Sequence, residues 1–195
     1  MKQAKVNRRG EILAAARKLM QSRGLSGVTT RQIAEAVGCS EGALYVHFQG
    51  RAALLIAVLE ESLPQMLGPV HALRDLVGQE TPQRNLERAL RGMLAFHRKV
   101  VPMIAGLFAE PELLSAYRKT LARGGKGPHR AISNLADYIL AEQASGRIRP
   151  DVDAHSSSAL LMSASFFRVF TERFFGVPVH PPLDRFVQST VASVL

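Results

Sequence analysis

TTRQIAEAVGCSEGALYVHF, residues 29–48, is patterned as two short helices with a tight turn between them. Thr29 stands where an N-cap side chain is needed, and Gln32 three positions later completes a Thr-x-x-Gln capping box. Ile33, Ala34 and Val37 recur at helical spacing and predict one buried stripe. Gly38 supplies the position just past a helix end, where a left-handed backbone is common. Ser40 then predicts the cap of a second helix, with Glu41 in a first turn where the helix dipole favours negative charge. Only Gly38, Cys39 and Ser40 separate the two segments, the short turn of a helix-turn-helix. Such a pair presents its second helix outward, the layout that places a helix in the major groove of DNA.

The second helix has an unusual surface. Gly42 and Ala43 carry almost no side chain, so an opposing surface can approach the backbone closely. Leu44 and Phe48, four apart, are expected to point into the core, while Tyr45 and His47 point elsewhere. Small residues beside a phenol and an imidazole suit a sugar–phosphate backbone with base edges beneath it. An ordinary αα-hairpin of a helical protein is the alternative that the pattern leaves open.

Residues from about Arg8 to Glu60 resemble the DNA-binding domain of the TetR family of bacterial transcriptional regulators. The matching elements, in order, are ILAAARKLM with Gly24, TTRQIAEAVG, SEGALYVHF, and Arg51 with Leu54. Two positions depart from the pattern: Arg51 stands where many relatives have lysine, and Cys39 where many have valine. The resemblance implies an all-α fold, with a three-helix DNA-binding domain over residues 1–60 and a helical effector-binding and dimerisation domain over residues 61–195. It implies that Thr29, Tyr45 and Arg51 hold phosphates. Thr30, Arg31, Gly42, Ala43 and His47 are placed to meet the groove or its walls, with Ser40 and Glu41 in the same interface.

Length and charge agree with this reading. The 195 residues suffice for a small N-terminal domain and a larger second one with a sizeable core. The formal net charge of +9 favours a polyanionic partner, because neutralising phosphates releases counterions. Over residues 1–60, nine basic side chains oppose four acidic ones. Lys2, Lys5, Arg8 and Arg9 cluster ahead of the first helix, as a mobile arm on the DNA backbone or as a solvated tail. No apolar run approaches the roughly 18 residues of a membrane span, and the N-terminus lacks an apolar signal region, so a cytoplasmic protein is expected. The one cysteine excludes an intramolecular disulfide and a cysteine-based zinc cluster; in the turn it reads as a small apolar filler or a redox sensor.

Outward from the motif, the first helix is expected from about Arg8 to Ser22, with Ile12, Ala16, Leu19 and Met20 inside and Gly24 ending it. A fourth helix is expected from Arg51, carrying Leu54, Leu55, Val58 and Leu59, with a kink at Pro64 and the domain boundary near Glu60. Helices continue to the end of the chain. Pro102 should break or kink one of them, Glu110–Pro111 end a short apolar turn, and GGKG at 124–127 form a loop that lacks the ending of a phosphate-binding loop. Two long helices close the sequence, one over Ala154 to Phe175 and an amphipathic one through Leu183 to Val194. This pair resembles the four-helix dimer interface of the family, with Leu160, Phe166, Phe174, Phe186, Val187 and Val191 expected in it. A homodimer also sets two recognition helices about one DNA turn apart, to read a two-fold symmetric operator. A monomer's internal core is the other use of the same residues.

The family encloses a small-molecule site in the C-terminal helices, and the lining expected here is Met66, Leu90, Met93, Leu94, His97, Met103, Leu107, Phe108, Tyr117, Tyr138, Phe167 and Phe170. Such a lining suits an apolar or amphipathic effector, although core packing asks for the same residue types. Catalytic signatures are missing: no His-Glu-x-x-His, no Gly-x-Ser-x-Gly, no nucleotide fingerprint and no Glu-x-x-His pair. No enzyme, cofactor or metal is expected. The reading is a sequence-specific repressor of a double-stranded operator, released by its effector. A non-specific architectural DNA binder is the main alternative, and a helical lipid-binding protein or enzyme stands further off.

Overall fold

The computed structural model describes residues 7–62, 68–124 and 128–195. Among the described residues every regular element is helical, in agreement with the all-α expectation. The chain divides into two compact units, residues 1–63 with 102–124, and residues 64–101 with 125–195. Pro64, Met66, Lys2 and Lys5, singled out above, lie outside the described residues.

The first unit holds α1 (Arg8–Arg23), α2 (Thr30–Val37), α3 (Glu41–Tyr45) and α4 (Gly50–Ser62). Asn7 caps α1 by accepting from Gly10 N. Ile12, Leu13, Ala16 and Met20 of α1 meet Ile33 and Ala34 of α2, Leu44 and Phe48 around α3, and Leu54, Leu55, Val58 and Leu59 of α4 in one core. Sequence patterning placed all of these except Leu13, because their spacing repeats locally; Leu19, expected with them, is half-buried.

Residues 102–124 join this unit, a connection that the expected division into 1–60 and 61–195 did not contain. They comprise the end of α6 (Pro82–Ala105), a 3₁₀ turn at Gly106–Ala109, and α7 (Pro111–Gly124). Met103, Leu107, Leu113 and Tyr117 enter the core just described. Gly106 approaches the α1–α2 loop so closely that a β-carbon there would stand 3.0 Å from Leu25 Cβ and from Ser26 Oγ. Glycine is therefore the residue that lets this turn lie against that loop.

The second unit contains α5 (Gly68–His71) with a 3₁₀ turn at Ala72–Leu76, most of α6, α8 (Pro128–Ala144), α9 (Ala154–Phe175) and α10 (Leu183–Ala192). Its core includes Leu86, Leu90, Met93, Leu94, Leu135, Ile139, Leu161, Val169, Val187 and Val191. Asp153 caps α9 by accepting from Ser156 N, and that bond holds its carboxyl below the usual range. Arg168, almost fully buried, donates to Val179 O and Pro181 O and so ties the α9–α10 loop to α9.

Of the expected break or kink at Pro102, the break does not occur; α6 runs through it to Ala105. A proline removes the N–H that would have bonded the carbonyl four residues back, that of Arg98. The Arg173 guanidinium donates to that same carbonyl at 3.3 Å, so the freed acceptor keeps a partner. The substitute lies 71 residues further on in the chain (173 against 102), beyond the reach of local pattern reading.

Candidate nucleic-acid interface

Local hydrogen bonds set the two short helices. Thr29 Oγ1 accepts from Gln32 N at 3.2 Å, and Thr29 N donates to Gln32 Oε1 at 3.1 Å, completing the expected capping box. Gly38 takes a left-handed backbone (φ 68°, ψ 43°) and closes α2. Ser40 Oγ accepts from Ala43 N at 3.3 Å and caps α3. Thr30 Oγ1 donates to Glu41 Oε1 at 2.8 Å, which joins the first turn of α2 to the first turn of α3.

Burial then separates two faces. Ile33, Ala34, Leu44 and Phe48 face the core, whereas Thr29, Arg31, Ser40, Glu41, Gly42, Tyr45 and His47 are exposed, and Thr30 and Ala43 are half-buried. The exposed face is chemically suited to an anion. The Thr29 and Ser40 oxygens accept from capping N–H groups, which leaves each hydroxyl hydrogen for an external acceptor. Arg31 pairs with Glu35 at 3.0 Å across one helical turn, a solvent-exposed pair that a phosphate can displace at small cost.

Gly42 is informative because the fold does not require it. Among the described residues a β-carbon there would meet only Ser40 Oγ, at the ordinary distance of 3.8 Å. Glycine inside a helix is less favourable than alanine by about 0.5–1 kcal/mol. Among the described residues, no contact within the subunit accounts for the glycine.

Three arginines near this face have partners within the chain. Arg51 is engaged within its own unit: its guanidinium donates to Leu25 O at 3.1 Å and Val28 O at 3.1 Å, and grips Glu110 at 2.6 and 3.1 Å. This fork, above all its hydrogen bond to Glu110, holds the Glu110 carboxyl below its ordinary value. Glu110 sits 59 positions away, so the sequence shows the arginine but not its acceptor. Arg8 and Arg9 do not extend a mobile arm. Both lie in α1, where Arg8 pairs with Glu11 at 3.0 Å, and Arg9 pairs with Glu61 at 3.2 Å and lies over the Phe48 ring.

Val46 lies outside the expected contact set. It is 81% exposed, beside Tyr45 at 52%. Valine reads as a core residue in pattern analysis, yet it follows buried Leu44 by two residues, about 200° around a helix.

Residues 12–58 match the family described as bacterial regulatory proteins, tetR family. The nucleoid occlusion factor SlmA of Shewanella baltica (strain OS155 / ATCC BAA-1091) is 33% identical over 166 residues, covering 74% of this chain and 82% of that protein. The chain belongs to the TetR family of bacterial regulatory proteins. The SlmA of Vibrio cholerae serotype O1 is 48% identical over 63 residues, 30% of this chain and 32% of that one. The fold agrees over its full length. A putative TetR-family regulator from Mesorhizobium loti MAFF303099 matches with a TM-score of 0.75 at 20% identity, covering 100% of this chain and 98% of that one. Salmonella enterica GusR matches with a TM-score of 0.69 at 22% identity, covering 100% and 99%. As a TetR-family member the protein is a DNA-binding transcriptional regulator.

The residues expected around a TetR-type effector site are divided by the structure. Leu90, Met93, Leu94 and Tyr138 belong to the core of the second unit, while Met103, Leu107 and Tyr117 belong to that of the first. Phe108, Phe167 and Phe170 do not line an interior: all three are exposed, Phe108 at 76%. Helical periodicity marks an apolar face without saying whether the same subunit covers it. His97 is buried, and its Nδ1 lies 2.6 Å from Ser165 Oγ. Burial pushes its pKa down to about 4, so the imidazole is neutral and Ser165 is its polar partner between α6 and α9. A cavity of about 250 Å³ opens at the start of α9 beside Arg149, Asp153, Ser156 and Leu160, and none of the expected effector residues among those described lines it.

Of the expected dimer residues, Leu160, Phe166 and Phe174 are exposed on α9. Phe166, Phe170 and Phe174 stack in succession at 6.2 and 5.6 Å. Phe186 is half-buried under the Arg168 guanidinium at 4.6 Å. Val187 and Val191 depart from that expectation: both are fully buried in the core of their own unit and offer no surface to a partner. The amphipathic stripe of α10 is satisfied internally, a choice that its periodicity alone leaves open.

Proposed function

We propose that the protein is a homodimeric repressor that binds a palindromic operator through α3 and is released by a small apolar or amphipathic molecule. The observation that carries the DNA-facing part is the outward face of 29–47, with two capping hydroxyls, exposed Tyr45 and His47, and a glycine that the fold does not need. Thr29, Thr30, Arg31, Ser40, Glu41, Gly42, Ala43, Tyr45 and His47 form the proposed contact set. Residues 1–60 carry recognition and 61–195 carry dimerisation and effector binding. Binding, not catalysis, in the cytoplasm is the role this reading gives the chain.

Support for a dimer comes from α9. Leu160, Phe166, Phe167, Phe170, Phe174 and Phe175 are all exposed on one helix. At roughly 200 Å² per phenylalanine this is on the order of 600 Å² of apolar surface, large for a monomer and near one partner's share of a standard interface. A second copy presenting the same face would cover it with two-fold symmetry.

Selection from random duplex DNA with the full-length protein tests the proposal. One enriched inverted repeat, with half-sites about one helical turn apart, supports a dimeric operator reader. A pool with no enriched motif sinks it in favour of an architectural DNA binder. A second reading rests on the relatives named nucleoid occlusion factor. Chromosome-wide occupancy separates the two: a local repressor occupies a few promoters, whereas a nucleoid occlusion role needs many sites spread along the chromosome and misplaced division when the gene is deleted.

A further inference from the structure

Val46 is the outermost aliphatic group of the DNA-facing surface. It follows α3 with a right-handed helical backbone (φ −64°, ψ −31°), so the helical sense of 41–45 continues through it. Leu44 and Phe48, two residues to either side, are buried. Val46 therefore points away from the core, flanked by the exposed Tyr45 and His47. Of the other branched aliphatic residues in 28–48, Val28, Ile33 and Leu44 are buried and Val37 is half-buried. At 81% exposure Val46 is left open by the packing of the described residues.

An isopropyl group offers no hydrogen bond. Placed against a phosphate or a polar base edge, it would remove water from groups that it cannot satisfy. The major groove displays one apolar feature, the 5-methyl group of thymine. We infer that Val46 is a specificity-determining residue that selects thymine in each half-site by covering that methyl group. It also disfavours cytosine there, whose amino group would lose its water without gaining an acceptor. The inference rests on the reading of α3 as the DNA-facing helix.

Replacing thymine by deoxyuridine removes only the methyl group, and this supplies the test. The full-length protein is titrated against its selected operator, with each thymine changed singly to deoxyuridine. Burying one methyl group corresponds to about a fourfold change in affinity per half-site, and to more than about tenfold when both symmetric positions are changed. One position per half-site is expected to show this loss with the native protein and none with Val46→Ala. Val46→Thr, which keeps a methyl group, is expected to restore the sensitivity. The side chain is exposed, so these variants fold, as circular dichroism would show. An enriched palindrome whose every deoxyuridine change is felt equally by the native protein and Val46→Ala overturns the assignment and leaves the DNA reading intact. Failure to enrich any motif overturns both.

Discussion

Replacing Gly42 should move stability and DNA binding in opposite directions. A β-carbon at this position meets only Ser40 Oγ at 3.8 Å, and the φ angle there is not one that disfavours L side chains. Gly42→Ala removes the entropic disadvantage of glycine in a helix, about 0.5 kcal/mol in a segment as short as α3. For a chain of this length that raises Tm by about 1–2 °C. Gly42→Leu should fold as the native protein does, since its β-carbon meets only an ordinary contact and the position is exposed. On DNA the same side chain stands between the backbone of α3 and the groove. Lifting the helix forfeits several phosphate and base contacts together, and a loss above about 100-fold, or 2.7 kcal/mol, is expected. Thermal denaturation followed by circular dichroism gives the first quantity, and fluorescence anisotropy on the selected operator gives the second. Operator affinity for Gly42→Leu within about threefold of native would refute the close approach. A Tm for Gly42→Ala several degrees below native would refute the open-space argument.

Four further outcomes are expected. Arg51→Ala removes donors from Leu25 O, Val28 O and Glu110 and should destabilise the protein by about 2 kcal/mol. Its slope of log affinity against log salt should match native, and a flattening by about one unit would reinstate Arg51 as a phosphate ligand. Because the Glu110 carboxyl is held below its ordinary value by Arg51, its contribution is present above pH 4.5 and is lost as pH falls through the lowered native value. Glu110→Gln should therefore lose about 1 kcal/mol in urea denaturation at neutral pH, and the gap to native should close below pH 4.5. His97, lowered to about 4, sets the same sign over a different window: native stability declines by up to about 3 kcal/mol as pH falls from 6.5 to about 4. His97→Gln should flatten that decline, and an unchanged profile would place the titration elsewhere. Finally, Phe167→Glu with Phe174→Glu, at positions 68% and 70% exposed, should leave helicity intact and yield monomers in sedimentation. A dimer of native strength would move the interface off α9.

Much of the first unit was legible because its determinants are local. The capping box at Thr29, the left-handed Gly38, the Ser40 cap and the core-facing Leu44 and Phe48 all lie within one or two helical turns of the residues they act on. Hydrogen-bond capping and helical periodicity operate at that range, so the order of residues suffices to specify them. Family resemblance extended the reading to function, because the same local elements recur in the same order.

Tertiary structure decided wherever a residue's partner is distant in the chain or its apolar face has two possible covers. Arg51 became an internal clamp only through Glu110, and Pro102 stayed within a helix whose freed carbonyl is bonded by Arg173. Periodicity showed an apolar stripe on α10 and phenylalanines along α9; folding buried Val187 and Val191 and left Phe167 and Phe174 in solvent. Hydrophobic burial is non-directional, so sequence shows that a face must be covered, and only packing shows what covers it.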